Sequence, residues 1–139
     1  MQRNLKPRVL VVDDDETILA MMGHAFAMCP FDAEFAAMGL EAMSLFFDNL
    51  KAGRYFDAFI LDCALPHFDG FTMAKIIRLS ELTGICPRSK IAFFTAYTQT
   101  VERSTLVQES GADLYLRKPQ DAGMLPRLIT DWLKREVDA

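Results

Sequence analysis

The sequence predicts an α/β fold: a parallel sheet of five strands with helices packed on both faces. Three observations predict it. Five short apolar runs, at 8–12, 31–36, 58–61, 90–94 and 113–117, alternate with stretches whose apolar residues recur at helical spacing. Such alternation leaves parallel strands joined by crossover helices as the simplest topology. The 139 residues also show no repeat, linker or composition shift, so a single domain over 1–139 is expected, with its core at about 8–134.

The first strand is β-branched and apolar and stops at Asp13-Asp14-Asp15. Ile18, Leu19, Met22, Ala25 and Phe26 then share a helical face, with Asp14 or Asp15 as the cap and Cys29-Pro30 as the stop. A weaker strand follows at 31–36. Met43, Phe46, Phe47 and Leu50 mark the second helix, which Gly53 closes. The third strand, 58–61, ends on Asp62, and Pro66 with Asp69-Gly70 marks a turn after it. Met73, Ile76 and Ile77 face inward on a third helix at about 71–82. The fourth strand ends at Thr95-Ala96. A weakly amphipathic helix at 98–110 closes at Gly111. The fifth strand leads to Lys118-Pro119. The last helix carries Leu125, Leu128, Ile129, Trp132 and Leu133, and Pro126 requires it to start late or to kink.

Composition narrows the function classes. Half the residues are hydrophobic and 24% are charged, an ordinary globular balance, and the net charge of −4 disfavours non-specific nucleic-acid binding and a basic membrane patch. No run approaches the roughly 20 apolar residues of a membrane span, and no apolar signal segment follows the polar, basic start. Cys29, Cys63 and Cys86 are scattered without metal-ligand spacing and read as free thiols in a reducing cytosol. The expectation is a cytoplasmic protein with no membrane or direct nucleic-acid partner.

In open α/β sheets, ligands bind beyond the carboxyl ends of the strands. The residues just past strands one, three, four and five are Asp13-Asp14, Asp62, Thr95 and Lys118. Clustered carboxylates suit a hard divalent cation, most simply Mg²⁺. One carboxylate can act as a nucleophile and form an acyl phosphate, with Lys118 adding positive charge and Thr95 a hydrogen bond. Taken singly, several of these residues have plainer readings. Asp15 is a helix cap, Asp69-Gly70 a turn, Thr95 a strand end, Tyr115 a sheet residue and Cys63 a small hydrophobe. His24 and His67 read as surface residues, and Trp132 as core.

Val11-Val12-Asp13-Asp14, Leu61-Asp62 with Pro66 and Asp69-Gly70, Thr95-Ala96 and Lys118-Pro119 together resemble the receiver domain of two-component response regulators, over about residues 8–134. The resemblance implies a flavodoxin-like (βα)5 sheet of order 2-1-3-4-5. It implies that Asp62 accepts a phosphoryl group from a histidine kinase or phosphotransfer protein, and that the domain promotes its own phosphorylation and dephosphorylation without being a turnover enzyme. Mg²⁺ would be held by Asp13, Asp14, Asp62 and the backbone carbonyl of Ala64. Thr95 and Lys118 would contact the phosphoryl group, and Thr95 and Tyr115 would form the switch. A downstream protein would read the switch, and the last two helices would offer a homodimer face. Ala64 and Tyr97 depart from the family's usual residues beside the acceptor. Neither favours an in-line water, so slow hydrolysis is expected.

Three alternatives stand beside this reading. One is a receiver fragment of a larger transcriptional or enzymatic regulator. Another is an aspartyl-phosphate phosphatase of the haloacid dehalogenase type, which would want a second acid where Ala64 stands. The last is a flavin-mononucleotide module, which would want a Ser/Thr/Gly-rich loop where the three aspartates stand.

Overall fold

The computed structural model describes residues 6–96 and 101–138, with backbone alone at 101–104 and 135–138. Its strands are β1 (Arg8–Val12), β2 (Asp32–Ala36), β3 (Ala58–Leu61), β4 (Lys90–Thr95) and β5 (Leu114–Arg117). They form one parallel sheet in the order β2-β1-β3-β4-β5. The helices are α1 (Glu16–Phe26), α2 (Gly39–Lys51), α3 (Gly70–Leu82), α4 (Val101–Ser110) and α5 (Leu125–Asp138). The fold class and strand order are those expected from the sequence.

The period-two geometry of the strands divides the core in two. Leu10, Val12, Phe59, Leu61, Ile91 and Phe93 point to one face, under Met43 and Phe46 of α2 and Met73, Ala74 and Ile77 of α3. Val9, Val11, Ile60, Ala92, Phe94 and Leu116 point to the other, under Met22 and Phe26 of α1 and Leu125, Ile129 and Trp132 of α5. Burial on both faces is why these strands read as continuous apolar runs. Each large side chain so buried stabilises the fold by about 1.5–3 kcal/mol.

Local signals set most element ends. Asp15 caps α1 by accepting from the Thr17 and Ile18 amides, and Asp69 caps α3 by accepting from Thr72. A short 3₁₀ turn at Ala122–Met124 precedes α5, which starts at Leu125 with Pro126 in its first turn, where proline is tolerated. So the last helix does start late. Two positions depart from the periodic reading. Ala25 is exposed, outside the buried stripe that Met22 and Phe26 form on α1. Phe47 lies at the edge of its helical stripe. It is 39% exposed and packs edge-to-face on Phe46 instead of entering the core.

A buried Arg78 ties α3 to the two loops that flank β4 and β5. Its guanidinium donates to Glu81, the Ser89 carbonyl, the Gly111 carbonyl and Asp113. Gly111, just past α4, has φ +81°, and a Cβ there would come 2.9 Å from the Arg78 side chain, so glycine is required on both counts. The C-terminal end of α4 is thereby fixed to α3. The periodic reading did not anticipate this network.

Candidate functional site

The strand registers bring the predicted residues together. Val12 pairs with Leu61, so Asp13 and Asp62 leave adjacent strands side by side. The Asp62 amide donates to the Val12 carbonyl and the Asp13 amide to the Ala36 carbonyl, which extends the ladder to the last residue before each loop. Thr95 pairs with Arg117, and the Lys118 amide donates to the Thr95 carbonyl, so Lys118 enters the same end of the sheet from β5.

Asp13 is 2% exposed and Asp62 5%, while Asp14 is open to solvent. Carboxylate oxygens of the three lie within 4.8 Å of one another. Lys118 Nζ is 2.6 Å from Asp13 Oδ2 and 3.0 Å from Asp62 Oδ2, and so bridges the two buried acids. The remaining oxygens are also occupied. The Asp15 amide donates to Asp13 Oδ1, and the Ala64 amide donates to Asp62 Oδ1.

Burial pushes the Asp13 carboxyl above its ordinary value of 3.8, and the Asp62 charge adds to this. Hydrogen bonds from Lys118 and the Asp15 amide offset it only in part. Burial acts on Lys118 in the opposite sense, lowering it, but the bonds to Asp13 and Asp62 outweigh it, and its ammonium is held above 10.5. Both directions follow from one geometry, since the lysine gains two carboxylate partners and Asp13 gains one cation.

Thr95 is fully buried. By strand parity it shares the face of Phe93, and Phe93 pairs directly with Tyr115. Thr95 and Tyr115 are therefore diagonal neighbours on the α2–α4 side of the sheet. Tyr115 is half-buried and meets Phe93 edge-on, with ring centroids 6.4 Å apart. Ala64 is exposed beside Asp62, as are His67 and His24 on the surface. Tyr97 lies outside the described residues.

The loop from Asp62 to Gly70 carries features that no local motif announced. α3 begins directly against the backbone of Asp62: a Cβ on Gly70 would sit 2.5 Å from the Asp62 carbonyl oxygen. His67 has φ +67°, and the Phe68 amide donates to the Pro66 carbonyl at 2.7 Å. That i→i+2 bond makes a γ-turn of the strained, positive-φ kind.

A hard-oxygen donor set that combines one exposed and two buried carboxylates fits Mg²⁺, which keeps several waters and takes only a few protein oxygens. Asp62, like Asp13, has both oxygens oriented: one by Lys118 and the other by a backbone amide, that of Ala64. Among the described residues no helix is long and apolar enough to cross a membrane, and no disulfide joins the three cysteines.

Residues 9–130 match the family model described as the response regulator receiver domain. The chain is 30% identical over 131 residues to the DNA-binding dual master transcriptional regulator RpaA of Synechocystis, covering 93% of this chain and 50% of that one. It spans half of that regulator's length and smaller shares of several other curated relatives. Among solved structures, it is similar to a CheY-like response regulator receiver domain protein from Methanospirillum hungatei, at 26% identity and a TM-score of 0.70, over 96% of this chain and 94% of that one. It is also similar to the receiver domain of the histidine kinase CKI1 from Arabidopsis thaliana, complexed with Mg²⁺ and BeF₃⁻, at 26% identity and a TM-score of 0.76 over 92% of this chain and 90% of that one.

Proposed function

The chain belongs to the response regulator receiver domain family, and from that premise we propose that it is a phosphorylation-dependent switch whose acceptor is Asp62. The observation that carries the proposal is the buried Asp62, oriented on one oxygen by Lys118 and on the other by the Ala64 amide, beside Asp13 and Asp14.

In this reading an Asp62 carboxylate oxygen forms a bond to phosphorus as the phosphorus–nitrogen bond of a phosphohistidine breaks. The donor is a histidine kinase or phosphotransfer protein. The product is an acyl phosphate that adds about −1.5 to −2 charges. Lys118 exchanges a carboxylate partner for a phosphoryl oxygen, and Thr95 supplies a hydroxyl. Asp13, Asp14, Asp62 and the Ala64 carbonyl would hold Mg²⁺, which when bound neutralises charge on the phosphoryl oxygens. That the Arabidopsis receiver was solved with Mg²⁺ and BeF₃⁻ supports this assignment. Ala64 presents only a methyl group beside the acceptor, which supports slow hydrolysis. The protein chemistry is that of a cytoplasmic switch which changes its affinity for a downstream protein.

The greater length of the curated relatives favours a second reading of the output alone. There the switch acts on a domain joined to it in the native polypeptide. The native gene length distinguishes the two.

The test is intact mass after incubation with Mg²⁺ and acetyl phosphate. The wild type should gain one phosphoryl group, and Asp62→Asn, which keeps the shape and removes the nucleophile, should gain none while unfolding as cooperatively as before. A persistent adduct in the variant would assign the acceptor elsewhere. Turnover of small phosphate esters by the wild type would favour a phosphatase.

A further inference from the structure

We propose that Gly39 is a positioning residue for the acceptor loop. By lacking a side chain at the start of α2, it seats the backbone of Phe68 and so sets where Asp62 and the Ala64 carbonyl stand. The inference rests on the receiver reading for its chemistry, but its structural part is independent of that reading.

Gly39 is the first residue of α2 and is buried. A Cβ built on it would lie 2.5 Å from the Phe68 carbonyl oxygen, 2.8 Å from Phe68 Cβ and 3.2 Å from Phe68 Cγ. The nearest of these atoms is backbone, which cannot swing aside as a side-chain tip can. Backbone conformation does not call for glycine here, because the positive-φ glycines are Gly53, Gly84 and Gly111. By helix propensity alone, alanine would be favoured by up to about 1 kcal/mol. What excludes a side chain is therefore the loop from β3.

That loop is held at both ends by close backbone approaches. Phe68 rests on Gly39, and Gly70 rests on the Asp62 carbonyl at an equivalent 2.5 Å. Just before Phe68, His67 adopts φ +67° in the γ-turn closed by Phe68 and Pro66. A strained backbone conformation persists only where the surroundings over-determine it. The two glycine seats are those surroundings. Phe68 is also packed against the core under α2 and α3, so a push at Gly39 cannot be absorbed by Phe68 moving inward. It is passed along the loop toward Ala64 and Asp62. Second-layer contacts of this kind orient metal ligands and set affinity.

The experiment compares Gly39→Ala and Phe68→Ala with the wild type. Gly23→Ala serves as control, because its Cβ would meet only the Phe35 ring at 3.8 Å. The readouts are amide exchange across 63–69 in metal-free protein and Mg²⁺ affinity by calorimetry with no phosphodonor present. Gly39→Ala should speed exchange across 63–69 and weaken Mg²⁺ binding roughly tenfold, the lower end of the range for lost second-layer contacts. Gly23→Ala should do neither. Phe68→Ala keeps the carbonyl and Cβ that face Gly39 but removes the ring that packs them there, so it loosens the seat without inserting an atom. It should shift both readouts in the same direction and decides the matter if Gly39→Ala does not fold. A folded Gly39→Ala with wild-type exchange and wild-type Mg²⁺ affinity overturns the proposal. So does a loss of stability without those two changes, which would leave Gly39 a packing role only. A wild type that binds no Mg²⁺ overturns the receiver chemistry instead, and exchange across 63–69 then still decides whether Gly39 seats the loop.

Discussion

Lys118 stands closer to Asp13 than to Asp62, with its ammonium nitrogen 2.6 Å from the first carboxylate and 3.0 Å from the second. The lysine expected to serve a phosphoryl group is thus occupied, before any phosphoryl group arrives, in bridging two buried acids. This makes it a determinant of stability as well as of chemistry.

Lys118→Met should cost about 3 kcal/mol at neutral pH, because removing one partner of a buried pair leaves the other uncompensated. The pH dependence has a definite sign. Asp13 already titrates above 3.8, so its ionised form is penalised in the folded state, and the penalty fades as pH falls through its folded value toward 3.8. Losing Lys118 enlarges that penalty. The gap between wild type and variant should therefore narrow between neutral pH and pH 4. The raised Lys118 contributes stability that is complete below 10.5 and lost as pH rises through its folded value. Urea unfolding at several pH values measures both; a gap independent of pH would contradict the pairing.

Asp14 is the exposed acid of the cluster, and among the described residues no cation pairs with it as Lys118 pairs with Asp13 and Asp62. Asp14→Asn should raise the melting temperature in the presence of a chelator, by up to about 1 kcal/mol or 2–4 °C for a chain of this size. The same change should weaken Mg²⁺ binding. Thermal melts with and without Mg²⁺ test the pair of effects, and a lower melting temperature in chelator would refute repulsion within the cluster.

Arg78→Met should destabilise the fold by about 3 kcal/mol or more. It removes the cation from the buried Glu81, which keeps only hydrogen bonds from Ser89, leaves Asp113 with the exposed Arg88 and the Ile91 amide, and frees the carbonyls of Ser89 and Gly111. Since the network also fixes the end of α4, amide exchange at 110–113 should rise more than the global loss explains. A uniform increase across the chain would assign Arg78 to general stability only.

The signal should leave through α4, β5 and α5. Thr95 and Tyr115 are diagonal neighbours on the side of the sheet that α4 covers, so movement of the Thr95 hydroxyl toward a phosphoryl group opens space beside Tyr115. With beryllofluoride and Mg²⁺, amide exchange should change at 101–117 and spare α1 and α2. Changes confined to α1 and α2 would refute the route, and Tyr115→Ala should blunt the response without preventing phosphorylation of Asp62.

The five strands, the order of their helices and the convergence of Asp13, Asp62, Thr95 and Lys118 were all legible in the sequence. Each rests on local periodicity, and a parallel sheet brings the carboxyl ends of its strands to one edge whatever their packing details. The Asp15 cap and the late start forced by Pro126 were legible for the same reason, because each depends on residues within one helical turn, whereas Asp69, read only as part of a turn, also caps α3. Tertiary structure alone decided that Lys118 bridges two acids, that Arg78 reaches Asp113 across 35 positions, and that Gly39 meets Phe68. These contacts join segments far apart in the chain, and neither periodicity nor turn chemistry carries information about which distant atoms will touch. They exist because the packed core leaves those groups one arrangement in which charge is paired and no two atoms overlap.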